Sequence, residues 1–126
     1  MSTNTDKDAT LDALAHHVLR EHGTERAWTS PLNQEKRAGT FYCAGCGAAL
    51  YDSATKYESG SGWPSFTAPR EGAVETSTDA RHGMTRTEIH CAKCKGHLGH
   101  VFPDGPPPDG LRYCMNGAAL RFEPAE

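Results

Sequence analysis

Long apolar runs are missing from this 126-residue chain, and no stretch approaches the roughly 18 consecutive apolar residues that span a bilayer. The opening segment MSTNTDKDATLDALAHH also lacks a basic stretch leading into an apolar one, so no secretory leader is expected and the protein is placed in the cytoplasm. Positive charge is not in excess: 13 Lys and Arg face 16 Asp and Glu, for a net charge of −3. The basic residues are scattered, which excludes the electrostatic footprint of a nucleic-acid or anionic-membrane binder and leaves small molecules or proteins as partners. Aromatics are few, at 8%. Cysteine is sparse too, and in a reducing cytosol the five present are expected as metal ligands or redox centres rather than disulfides. What the chain does have is 13 Gly and 8 Pro beside a 37% hydrophobic content, the composition of a folded, turn-rich protein of mainly β structure.

Residues 1–9 are polar and expected to fray, and 10–38 to form a helix and a wrapping arm. Leu11, Leu14, Ala15, Val18 and Leu19 recur at helical spacing up to a stop at Gly23. The arm from Thr24 to Gly39 has no sustained period, and Trp28 is its expected anchor. Residues 39–123 carry short strand-like segments (TFYC, AALYD, GAVETST, TRTEIHC, LGHVF, LRYCMNG, ALRFE) separated by turn residues, the pattern of antiparallel sheets. The whole is expected to be one domain and a monomer. PDGPPPDG between LGHVF and LRYC is turn chemistry, predicting a hairpin that sets His100 beside Cys114.

Four cysteines come as two CxxC pairs, Cys43 and Cys46 in FYCAGCGA and Cys91 and Cys94 in IHCAKCKG. One tight turn aims both sulfurs of a pair at a point, and the following glycine lets the backbone curl around them. Two such knuckles make a closed tetrahedral thiolate site, the donor set of one structural zinc per chain, with no position open to substrate. Two redox dithiols would call for a thioredoxin-like context that is missing, and an iron–sulfur cluster favours other spacings. A zinc deaminase would show HxE and PCxxC, and neither occurs.

Cys114 is left over. In a strand over LRYCMN it shares a face with Arg112 and Asn116, while Leu111, Tyr113 and Met115 face the core. A thiol among polar neighbours is either inert or a nucleophile, and the histidines His97 and His100 in HLGHVF favour the second use. Each of those histidines has a bland reading as well, as a turn cap or a carbonyl partner, and the pair with Cys114 could hold a second metal. In SGSGWPSF, Trp63 sits in an irregular loop, either walling an apolar pocket or plugging the core.

The segments REHGTE, GTFYCAGCGAALYDSATKYESGSGWPSF and HGMTRTEIHCAKCKGHLGHVFPDGPPPDGLRYCMNGAALRF closely resemble the B-type peptide-methionine (R)-S-oxide reductases from about residue 20 to 122. The resemblance implies two antiparallel sheets in a β-tent-like fold with an N-terminal helix, and a structural zinc remote from the reaction. It implies Cys114 as the nucleophile that reduces methionine-R-sulfoxide, free or in proteins. It further implies His100 and Asn116 as assisting residues, and Trp63 with His97 as substrate contacts. Cys114 would pass through a sulfenic acid. The position that often carries a resolving cysteine is here Ser61, and a serine, native or introduced, forms no disulfide. Reset would then fall to an external thiol, a thioredoxin-like protein or a small molecule. A zinc-supported, non-catalytic protein-binding module of the same fold is the competing reading, because a fold does not fix a function.

Overall fold

A computed structural model of the chain describes residues 13–21, 23–80, 85–107 and 110–125. The frayed start expected for residues 1–9 lies outside them. The helical period is realised in α1, Ala13–Glu21, which buries Ala15, Val18 and Leu19 and leaves Leu14 exposed. No helix among the described residues is long and apolar enough to cross a membrane.

Nine strands follow among the described residues: β1 Gly39–Cys43, β2 Ala49–Asp52, β3 Lys56–Tyr57, β4 Ser65–Phe66, β5 Val74–Asp79, β6 Arg86–Cys91, β7 His97–Phe102, β8 Arg112–Met115 and β9 Leu120–Pro124. They form two antiparallel sheets, one of three strands in the order β2-β1-β9 and one of six in the order β3-β4-β8-β7-β6-β5. The expected mainly β architecture is therefore present. Between the sheets Phe41, Leu50, Tyr51, Phe66, Ile89, Leu98 and Met115 are fully buried, with α1 contributing Val18 and Leu19. Phe66 packs edge-on to Phe41, ring centroids 5.0 Å apart, and stacks on Tyr51 at 4.4 Å, so one aromatic cluster joins the layers. Tyr51 pays for this position, since its buried hydroxyl meets no hydrogen-bond partner among the described residues.

β7 and β8 form the predicted hairpin, with His100 directly opposite Cys114. Trp28, the expected anchor of the arm, is not buried against the domain. Trp28 is 60% exposed and adopts a left-handed backbone with φ of 68°, and its N–H donates to the Gly62 carbonyl at 2.7 Å. The arm buries Glu25 and Asn33 instead, and the ionisable Glu25, 2% exposed, is the more deeply buried of the two.

Candidate active site

The two CxxC turns close on each other. Cys43 Sγ lies 3.7 Å from Cys94 Sγ and Cys46 Sγ 3.5 Å from Cys91 Sγ, and all four sulfurs fall within 4.8 Å of one another. Backbone bonds shape each turn in the same way: Gly47 N donates to Cys43 O and Lys95 N to Cys91 O, both at 2.8 Å. The residue after the second cysteine is left-handed in both, but only the first uses glycine; Gly47 has φ of 80° and Lys95 φ of 66°. The glycine expected to curl the second knuckle is one place further on. Gly96 is there for space, because a Cβ would come 2.8 Å from Leu19 of α1.

Cys114 occupies the middle of a polar row that crosses the larger sheet. Ser65 of β4, Cys114 of β8, His100 of β7, Glu88 of β6 and Ser77 of β5 are successive register partners, so all five side chains leave the same face. His97 should point the other way, being three residues from His100 on one strand. A bulge reverses it: the β6 partner changes from Gly99 at Ile89 to His97 at His90, leaving Leu98 as the extra residue. The His97 and His100 rings therefore meet edge to face at 5.3 Å between centroids. His97 Nδ1 lies 2.8 Å from Glu88 Oε2.

The cavity beside this row, about 170 Å³, is lined by Cys114, His100, Trp63, Asn116, Arg86 and Arg112 among others. Trp63 supplies an aromatic wall, and its indole N–H donates to Glu25 O at 3.0 Å. Arg86 and Arg112 bring two guanidiniums to the lining, the second paired with Asp104 at 2.9 Å. Four of the five expected reactive and contact residues line it; His97 does not, and lies fully buried behind His100. Asn116 lies beyond the end of β8, and both ends of its amide are engaged. Oδ1 accepts from Glu25 N at 2.9 Å, while Nδ2 donates to Leu98 O at 3.0 Å. Its own N–H reaches the same carbonyl at 2.9 Å, so Asn116 clamps the bulge that turns His97.

Burial pushes the Cys114 thiol above its ordinary value; the nearby Arg112 charge and a hydrogen bond from Ser61 pull it back only in part. Burial thus favours the thiol form, and Arg112 and Ser61 are the groups that favour the thiolate. Ser61 belongs to a chain of hydroxyls, 2.8 Å from Ser59, which in turn lies 2.7 Å from Ser65. The approach of β7 to β8 is set by backbone: a Cβ on Gly99 would overlap the carbonyl oxygen of Cys114.

Glu25, Arg86 and Glu88 escaped the sequence reading. Glu25 is 2% exposed, and its two carboxylate oxygens accept from Gly117 N at 2.9 Å and Ala118 N at 2.8 Å. Burial raises its carboxyl above the ordinary value, opposed by those two bonds. The signal available for Glu25 was REHGTE, a charged residue before an aperiodic arm, which does not distinguish a buried carboxylate from a solvated one.

Comparison with known proteins agrees in extent and in kind. Residues 11–124 match the SelR domain. The chain is similar to the peptide methionine sulfoxide reductase MsrB of Bradyrhizobium diazoefficiens, 56% identical over 90% of this chain and 83% of that one. The Pseudomonas putida protein of the same name is 56% identical over 94% of this chain and 90% of its own length. The one from Leptospira interrogans is 58% identical over 86% and 83%. Among solved structures, the Yippee-like domain of Mis18 shares the fold, with a TM-score of 0.57 at 17% identity, covering 71% of this chain and 99% of that one.

Proposed function

Because the chain belongs to the SelR-domain family, we propose that it reduces methionine sulfoxide, with the R epimer as substrate, free or within proteins, and with Cys114 as the nucleophile. The observation that carries this reading is the direct pairing of Cys114 with His100 on one face of the sheet, beside a cavity with an aromatic wall at Trp63. Methionine sulfoxide presents a methyl group and a polar oxygen on one pyramidal sulfur. Trp63 can receive the methyl, while His100, Arg86 and Arg112 offer donors to the oxygen.

In the reaction His100 delivers a proton toward the sulfoxide oxygen, making the substrate sulfur electrophilic, and takes up the proton that the Cys114 thiol loses as it attacks. The S–O bond breaks, methionine leaves, and the oxygen ends on Cys114 as a sulfenic acid, so one thiol is oxidised by two electrons and one sulfoxide reduced by two. His97 acts behind His100, held by Glu88, and Asn116 acts through the clamp on Leu98. Two external thiols then restore Cys114, releasing water and their own disulfide. A thioredoxin-like protein or a small thiol supplies them, since Ser61 at the cavity edge cannot and the other four cysteines face one another. The proposed site of action is the cytoplasm, whose reducing conditions keep cysteines available as metal ligands and nucleophiles.

The four-cysteine cluster fits zinc. A tetrahedron of Zn–S bonds of about 2.3 Å sets its sulfurs roughly 3.8 Å apart, close to the separations across the cluster. Cys43, Cys46, Cys91 and Cys94 would hold the ion, which supplies cross-linking of the two turns and no open coordination position.

The test is incubation with separated R and S epimers of methionine sulfoxide plus dithiothreitol. Methionine is expected from R alone, and Cys114→Ser is expected to abolish its release while keeping one zinc per chain. Turnover of the S epimer alone, or full activity in Cys114→Ser, would overturn the proposal. An inactive wild-type protein would leave the binding-module reading standing.

A further inference from the structure

Glu25 is an ionisable side chain only 2% exposed, in a stretch of the arm that belongs to no helix or strand, and all four of its polar functions are engaged, two of them by residues that line the cavity. Its N–H donates to Asn116 Oδ1, its carbonyl accepts from the Trp63 indole, and its carboxylate receives the N–H groups of Gly117 and Ala118. Trp63 and Asn116 are the two sides of the cavity that contains Cys114, and they come from separate segments of chain.

We propose that Glu25 is the positioning residue of this site: its carboxylate, fixed on the turn at 117–118, holds the arm so that its own backbone sets the spacing of Trp63 and Asn116. The proposal rests on the reading of the cavity as the methionine sulfoxide pocket and adds the residue that holds it open to the right width. The physical argument is the division of labour within one residue. Backbone groups alone could bridge Trp63 and Asn116 in any sequence, but residues 23–30 belong to no helix or strand whose ladder of hydrogen bonds would keep them there. The side chain provides that fixation with two charge-assisted bonds to the start of a turn. Each oxygen takes a different N–H, so neither the shorter Asp nor the amide Gln reproduces the arrangement; in Gln an NH₂ donor necessarily faces one of the two N–H groups.

The experiment uses the full-length, metal-loaded protein and reads the indole N–H of Trp63 by NMR, with Trp28→Phe to assign the two tryptophan signals. In Glu25→Gln, hydrogen exchange at the Trp63 indole is expected to accelerate roughly tenfold or more as the arm loosens. KM for methionine-R-sulfoxide is expected to rise by about the same factor, with kcat changed less. Glu25→Asp, which retains the charge, is expected to shift both readouts in the same direction by a smaller factor and serves if the Gln variant fails to fold. Unchanged indole exchange in a folded variant would overturn the proposal. So would a fall in kcat and melting temperature together at constant KM, since a purely structural residue would give that result. If the wild-type protein reduces no methionine sulfoxide, the reading of function fails, and the indole exchange alone still decides whether Glu25 holds Trp63.

Discussion

At the four-cysteine cluster every sulfur reaches the centre from one of two copies of the same turn, whereas Cys114 faces a cavity whose walls come from the arm, the 59–66 loop and strands β6, β7 and β8. The cluster needs few residues and local geometry, and its failure would unlink β1 from β6 and β7. The cavity needs many residues and long-range register, and one wall can move while the sheets persist. The same element, sulfur, thus serves two ends because of how its surroundings are assembled. Mutual proximity suits one set of thiols to a metal, while burial raises the pKa of the other against the opposing pull of the Arg112 charge.

The largest effect should come from breaking the first region. Stripping the metal with a chelator, or replacing Cys43 by Ser, is expected to remove a folding contribution on the order of 10 kcal/mol and with it the cooperative thermal transition. Circular dichroism with metal analysis would check this. Survival of a cooperative fold after metal loss would show that the two regions are less different than their architecture implies.

A smaller effect should sharpen the second region. Since burial raises the Cys114 pKa above its ordinary value, its alkylation by iodoacetamide should still be accelerating at pH 9, without a plateau. Removing the Arg112 charge takes away the largest influence favouring the thiolate, so Arg112→Met is expected to move the profile to higher pH and slow alkylation several-fold at pH 8. The profile is read by mass spectrometry, and a plateau below pH 8 would mean that the thiol is activated before substrate binds.

The smallest effect belongs to the layer between the two regions. Tyr51→Phe deletes a buried hydroxyl that meets no partner among the described residues, so the melting temperature should stay level or rise, by up to about 1 kcal/mol of stability. Metal content and Cys114 reactivity should both be unchanged. A loss of stability by differential scanning calorimetry would reveal a bond at that oxygen.

How much of this was legible in the sequence follows the same division. The CxxC knuckles were readable because each pair is a local object, and the β7–β8 hairpin because PDGPPPDG is turn chemistry between two strands. The two-residue strands β3 and β4 are too short to show a period, although β4 is the neighbour that seats Ser65 beside Cys114. The bulge at Leu98 was invisible for a related reason: HLGHVF reads as plain alternation, and only pairing with β6 turns His97 to the side of His100. In the arm the most hydrophobic candidate, Trp28, drew attention away from Glu25. Composition favours burying an indole over a carboxylate, and the two N–H groups that reverse that preference lie more than ninety residues away.

Gly99 puts the last of these points to use. Where β7 passes β8, two main chains touch with nothing between them, so the separation of the imidazole and the thiol is fixed by peptide geometry, which mutation elsewhere cannot soften. A pair mounted that way keeps its alignment while surrounding side chains drift, which frees the rest of the interior to vary among descendants without detuning the chemistry.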